Sequence, residues 1–269
     1  FFAVGAYASA ILTTDPAANH MGGFAMPFPV GFIGAMVVSG ALALFVGLVT
    51  LNLRSDYLAI ASIGIAEIVR LILKNEGWLT NGVRGVPSIS KPLAGWVEGM
   101  DALLYLLLVL ALVAVIYWAI ERSWRSPWGR VMRAVRENED QARAVGKDVL
   151  FFRLRAFVMG AAVMGLAGAL YAHFTAFISP EAFRPMTATF LVWVMLIAGG
   201  SGNNRGAILG AFVIWAVWSG TEIVTGMLPD ELVTRASAMR VFLIGLLLVV
   251  ILLIRPQGLL PEKPPKQVE

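Results

Sequence analysis

The sequence predicts an all-α fold, a polytopic bundle of transmembrane helices, and three observations carry that prediction. The 269 residues are 58% hydrophobic and only 14% charged, with a mean hydropathy of +0.78, whereas soluble domains hold about 25% charged and about 45–50% apolar residues. Apolar stretches long enough for the roughly 20 residues that cross a hydrocarbon core recur along the chain. The basic residues are bunched between these stretches, nine of the 21 Lys and Arg falling between Arg122 and Arg155. One transmembrane domain, 1–269, with about eight spans, is the organisation these facts imply.

Taken in order, residues 1–10 (FFAVGAYASA) begin inside an apolar run, with no initiator Met and no basic n-region of a signal peptide. They read as the remnant of a helix in a chain truncated at its amino end. Residues 28–53 form an uncharged span in which Ala35, Ser39, Ala43 and Gly47 recur every four residues, a spacing that lets helices approach closely in lipid. Residues 57–74 are a span carrying Glu67 and Arg70, three apart and so on one helix face. Asn81, Gly82, Gly85 and Pro87 give the segment 75–99 the chemistry of a loop. Residues 102–120 and 156–180 are further uncharged spans. Residues 187–198 hold about twelve apolar residues, too few for an untilted crossing, and run into Gly199-Gly200-Ser201-Gly202, which suits a short or broken helix. Residues 206–228 are interrupted by Glu222 and contain a Gly206/Gly210 pair; residues 236–254 are interrupted by Arg240, which can snorkel.

Positive charge sets the sidedness, because loops retained in the cytoplasm are enriched in Lys and Arg. The segment 121–150 and the tail 255–269, with Arg255, Lys263 and Lys266, are therefore expected inside, and the four spans between them satisfy the even number of crossings this requires. The loop 75–99 then lies outside. The basic pI of about 9.6 is accordingly a topology signal and no sign of nucleic-acid binding. Trp118, Trp124 and Trp128 fall at the inner boundary, where they anchor to the interface. Without cysteine the chain has neither disulfides nor thiolate metal sites.

The segment 121–150, ERSWRSPWGRVMRAVRENEDQARAVGKDVL, is long enough to be structured. Ser126-Pro127 is a helix start, Asn138 with Gln141 resembles a capping box, and Gly146 suits a left-handed C-terminal cap. The spacing predicts a short helix over 139–145 at the membrane surface. Ala142, Ala144 and Val145 between charges make a surface for a partner's groove; a solvated loop whose arginines meet anionic lipid is the alternative, and spacing alone leaves both open. Glu67 and Arg70 either gate polar solute or fix packing as an internal pair, the second being preferred. Asn81, Gly82, Gly85 and Pro87 form either an external gate or a tight loop. Gly199, Gly200, Gly202 and Gly206 either expose backbone groups to a pathway or let helices pack closely. His20 and His173, far apart and without neighbouring carboxylates, are not expected to bind metal or act as bases, and no catalytic constellation is visible.

The run GRVMRAVRENEDQARAVGKDVLFFRLRAFVMGAAVMGLAGALYAHF, residues 129–174, resembles the signature of branched-chain amino acid ABC importer permeases. FFAVGAYASA, RSDYLAIASIGIAEIVRLI at 54–72, LTNGVRGVP at 79–87, LIAGGSGNNRGAILGA at 196–211 and RPQGLLPEK at 255–263 follow in the expected order, and the TNGxxGxP loop makes the LivM-like type the nearer match. The amino end and the Asn203-Asn204 pair depart from the pattern. The resemblance implies a multi-pass inner-membrane permease with a cytoplasmic C-terminus. It implies as partners a homologous second permease, two cytoplasmic ABC ATPases and an external solute-binding protein, with no nucleic acid. Glu137, Glu139, Ala142, Arg143, Val145 and Gly146 would dock on an ATPase as a coupling helix. The chain needs no cofactor of its own: it has no GxxxxGK[ST] loop, so ATP and Mg would be bound by the partner ATPases. The implied cargo is leucine, isoleucine or valine; urea or short amides are the alternative within such permeases. An ion-coupled transporter or channel is the alternative of another class, one that would call for more charge within the spans.

Overall fold

The computed structural model describes residues 1–269 except 17–20, 54, 98, 186–188, 228–229 and 263–269, and leaves aside the side chains of 55–56, 224 and 230–238. His20, the first two residues of the expected short span, Leu228, Lys263 and Lys266 lie outside the described residues. The helices are α1 (Phe2–Thr13), α2 (Phe28–Thr50), α3 (Ser55–Asn75), α4 (Gly77–Thr80), α5 (Asp101–Arg125), α6 (Pro127–Glu137), α7 (Glu139–Ala144), α8 (Val149–Thr175), α9 (Leu191–Gly199), α10 (Asn204–Gly226) and α11 (Asp230–Ile254). Two 3-10 turns, Gly82–Arg84 and Pro180–Phe183, complete the described elements, and one antiparallel bridge joins Val86 to Ile178.

Eight of these helices fall where the eight spans are expected, but fewer qualify as crossings. Among the described residues, α2, α5, α8 and the Asn204–Ile223 stretch of α10 are long and apolar enough to cross a membrane, while Phe2–Thr13 and Met239–Ile254 are shorter apolar helices. α3 has the length, yet carries Asp56, Glu67, Arg70 and Lys74 within its 21 residues. The described part of α9 is nine residues, about 14 Å of helix, half of a hydrocarbon core.

The chain forms two compact units, Phe1–Phe183 and Arg184–Glu269. In the first, α1, α2 and α8 pack through small residues. Ala35, Ser39, Ala43 and Gly47 are all buried along α2, as their four-residue spacing predicts. Gly5 of α1 and Gly165 of α8 meet backbone to backbone, and a Cβ on Gly165 would also lie 2.6 Å from Ala35 O. Phe1 stacks edge-on against Phe157 and Ser9 bonds His173, so α1 runs parallel to α8. Ser39 Oγ donates to Phe1 O, and a Cβ on Gly31 would meet Ser9 and Thr13, so α2 runs the other way. With little apolar contrast between lipid and side chain, this close approach supplies the dispersion that holds the three helices together. Thr13, Thr14 and Thr50 return their hydroxyls to carbonyls one turn back, which satisfies them without water.

α5 lies along α2 and α8 through Leu108, Leu112 and Ile116 but buries none of its residues. It continues past the expected end at 120 to Arg125, and α8 begins at Val149, seven residues before the expected 156. Caps, and not the membrane boundary, set these ends: Asp148 accepts from Phe151 N at 3.0 Å. At the other end of α8, Ala176 in a left-handed conformation (φ 55°) stops the helix before the expected 180.

In the second unit, α9, α10 and α11 share a core of Leu191, Val194, Ala198, Ile214, Ile244 and Ile251. A Cβ on Gly210 would run into Met195 O, and Gly199 lies against the Gly206 backbone, so the Gly206/Gly210 pair is the seam on which α9 rests.

Candidate functional site

Three places concentrate the polar chemistry. The first is built from α6, α7 and the start of α8. Ser126 caps α6, its Oγ accepting from Gly129 N, and Pro127 takes the first helical position. Asn138 Oδ1 accepts from Gln141 N at 3.0 Å and so starts α7 one residue later, at Glu139; Gly146, at φ 77°, supplies the left-handed turn that ends it. Both boundaries follow the sequence expectation to within a residue. Val135, Ala142 and Val149, with Val131 alongside, form a small core under α7.

That core changes the part played by Ala142. It is 4% exposed and faces inward, so it seats α7 on α6 and α8 and presents nothing to a partner. The outer surface around α7 is made instead by Glu137 at the end of α6, Arg143 of α7, and Val145 and Gly146 just after it, all exposed, with Val145 at 73%. Glu139 accepts from Arg143 of α7 at 2.6 Å and from Arg153 of α8 at 3.3 Å, a bridge from the short helix to the long one. Arg133 and Arg136 of α6 lie over the Trp124 ring at 4.9 and 5.9 Å, tying α6 back to the end of α5.

The second place is the opposite end of the same unit. Asn81 adopts a left-handed conformation (φ 61°), and its Nδ2 donates to Gly85 O at 2.8 Å; Gly82 and Gly85 are buried and Pro87 is exposed. Thr80 Oγ1 donates to Leu73 O at 2.7 Å. The segment is welded to the chain just past α8, because Val86 and Ile178 exchange backbone hydrogen bonds of 2.9 and 3.1 Å, and a Cβ on Gly85 would strike Ile178 O. Sequence reasoning gave His173 no structural role, yet it completes the weld. Its Nδ1 faces Ser90 O at 2.6 Å and must donate to it, since a carbonyl only accepts; Nε2 then accepts from Ser9 Oγ at 2.9 Å. His173 is fully buried and joins α1, α8 and the loop. Its only sequence signal was a polar residue at the end of a long apolar run. On α3, Arg70 grips Glu67 bidentately at 2.5 and 2.9 Å, and Lys74 meets Glu181 at 3.2 Å. The Glu67–Arg70 pair has the geometry of a closed local ion pair on α3.

The third place is the glycine turn of the second unit. Gly199 and Gly206 face each other, Gly200 (φ 115°) turns the chain, and Asn203 Oδ1 accepts from Arg205 N to start α10. The segment following α11, as far as described, folds back on this turn. Leu259 N donates to Ala198 O at 2.9 Å and Leu260 N to Gly199 O at 3.0 Å, so the last carbonyls of α9 are satisfied by the tail. Gly258 (φ 83°) sits against Gly200, and Gly202 against Glu262. Arg240, which the sequence allowed to snorkel, turns inward over the Trp218 ring at 4.8 Å, with Glu222 at 4.0 Å.

Comparison with known proteins gives a consistent picture. A family model described as "Branched-chain amino acid transport system / permease component" matches residues 1–252. The high-affinity branched-chain amino acid transport system permease protein LivM of Salmonella typhimurium is 32% identical over 289 residues, covering 99% of this chain and 63% of the relative. LivM of Escherichia coli is 31% identical with the same coverages. A probable branched-chain amino acid transport permease protein LivM of Methanocaldococcus jannaschii is 31% identical over 256 residues, 88% of this chain and 71% of that relative. The chain thus spans about 63% of the length of the first two. No solved structure matches it.

Proposed function

We propose a function from one premise, that this chain belongs to the family of branched-chain amino acid transport system permease components. It serves as a permease subunit of an ATP-driven importer that carries leucine, isoleucine or valine across a bacterial inner membrane by alternating access. A homologous second permease completes the bundle, two cytoplasmic ATPase subunits bind ATP and Mg, and an external solute-binding protein delivers the cargo. The basic segment and the C-terminus face the cytoplasm. The descriptions of the LivM relatives support the choice of cargo.

The α6–α7 module is the observation that carries the coupling role. The module offers Glu137, Arg143, Val145 and Gly146 outward while Ala142 and the Glu139–Arg153 bridge fasten α7 to α8. α8 is 27 residues long, about 40 Å of continuous helix; its far end is bonded to the loop at Ser90 through His173, and the chain just past it at Val86 through Ile178. A displacement imposed on α7 by ATPase closure therefore travels along one rigid element to the external loop, carrying the tightly packed α1 and α2 with it. In this mechanism Asn81, Gly82, Gly85 and Pro87 belong to an external gate that moves with α8. Glu67 and Arg70, closed on each other, stiffen α3 beside it. Gly199, Gly200, Gly202 and Gly206 set the close seam of the second unit.

Reconstitution of the full-length protein with its partner subunits in proteoliposomes tests the reading. Uptake of labelled leucine is expected only with ATP and the binding protein both present; uptake that proceeds without either overturns it.

A further inference from the structure

A groove of about 560 Å³ opens where α2, α5, α6 and α8 meet at the basic end of the first unit, within the range of about 300–1,000 Å³ typical of small-molecule sites. Its two ends differ in chemistry. Leu44 of α2 and Val158 and Met159 of α8 line one end, on two helices that are both long and apolar enough to cross a membrane. Arg155, Ser126 and Trp128 line the mouth, where α5 has ended and α6 begins. Arg155 is exposed, and its guanidinium lies 3.9 Å from the centre of the Phe151 ring, which holds it at the rim.

Among the described residues, Arg155 is the one charged residue lining the groove, and its charge is not taken up by a neighbour. Arg125 is paired with Glu121, and Arg143 and Arg153 share Glu139; Arg155 has no carboxylate partner among the described residues. Ser126 also begins α6, an 11-residue helix, so that helix's positive end adds to the cation at the mouth. An apolar slot at membrane depth with a cation and a helix's positive end at its rim matches an acyl chain attached to a phosphate.

We propose that this groove binds an anionic phospholipid of the cytoplasmic leaflet, its phosphate on Arg155 and one acyl chain along Leu44, Val158 and Met159. The site rests on the reading of the chain as a permease with its basic segment inside, where anionic lipid is available. The lipid then fills the gap between α2 and α8 at the foot of the coupling module and supports α6 against the membrane.

The test is lipid retention by the full-length protein assembled with its partners in mild detergent, read by native mass spectrometry with phosphatidylglycerol or phosphatidylethanolamine added. Phosphatidylglycerol is expected to be retained about fivefold better, the worth of roughly one cation near a lipid surface. Arg155→Gln should bring it down to the phosphatidylethanolamine level, Arg155→Lys should restore it, and Met159→Trp, which fills the apolar end, should lower both lipids. Arg130→Gln, outside the lining, should leave both unchanged. Equal retention of phosphatidylglycerol by the parent and Arg155→Gln overturns the site. Displacement by inorganic phosphate alone marks a free-anion site and also overturns it, as does lipid retained only by the unassembled chain, which makes a partner subunit the occupant. ATP-dependent leucine uptake by the same parent preparation separates failure of this site from failure of the permease reading.

Discussion

Gly165 is a residue at which the first unit has no room for a side chain. Its missing side chain lets the α1 and α2 backbones close on α8, with Ser39 and Ala35 O in the space a Cβ would take. Gly165→Val should lower the thermal midpoint of the purified protein, at the upper end of the roughly 1–3 kcal/mol that overpacking costs, whereas Gly160→Ala, with nothing within 4 Å, should leave it unchanged. Asn81 is sensitive for its backbone instead. At φ 61° a branched residue costs about 1–2 kcal/mol, so Asn81→Val should destabilise more than Asn81→Gly in the same melt. His173 was legible only as a histidine without a carboxylate. Its two contacts, to Ser9 and Ser90, come from segments 164 and 83 residues away, and no local pattern encodes such distances.

At the scale of the element, α7 separates what local chemistry writes from what packing decides. Its start at Asn138 and its stop at Gly146 were readable because caps and left-handed turns are satisfied within a few residues. Which of its faces is free was not readable, because Ala142 and Val145 are both small apolar residues and only the neighbours Val135 and Val149 bury the first. The two should therefore respond differently. Ala142→Asp is expected to unseat the module and reduce folded yield, while Val145→Asp should leave the melt unchanged and lower leucine uptake at constant ATP hydrolysis. Uptake per ATP that is unaltered in Val145→Asp would count against docking through this face. Asn138→Ala should cost about 1 kcal/mol, the usual worth of such a cap, and shift the module's melting without touching its outer face.

For the whole molecule, the absence of cysteine makes sidedness directly measurable. Lys91→Cys is expected to react with a membrane-impermeant maleimide in intact cells, and Glu137→Cys only after permeabilisation; the reverse pattern would invert the topology. Within the second unit, the strap formed by 255–262 should be indispensable, so Gly258→Val, blocked by Gly200 and by its own positive φ, is expected to lower its stability, as read by proteolysis. Composition, span length and charge bunching determined by themselves that this is a helical membrane protein, where most helices lie and which end is basic, because solvent and bilayer act on each segment independently. The motif order along the chain carried the family as well. Tertiary structure alone decided that Ala142 faces inward, that Arg240 turns toward Trp218, that the segment after α11 caps α9, and that α8 is bonded at both of its ends. Each of these depends on a partner group far away in sequence, and in an apolar medium a polar group takes whichever partner the fold brings to it.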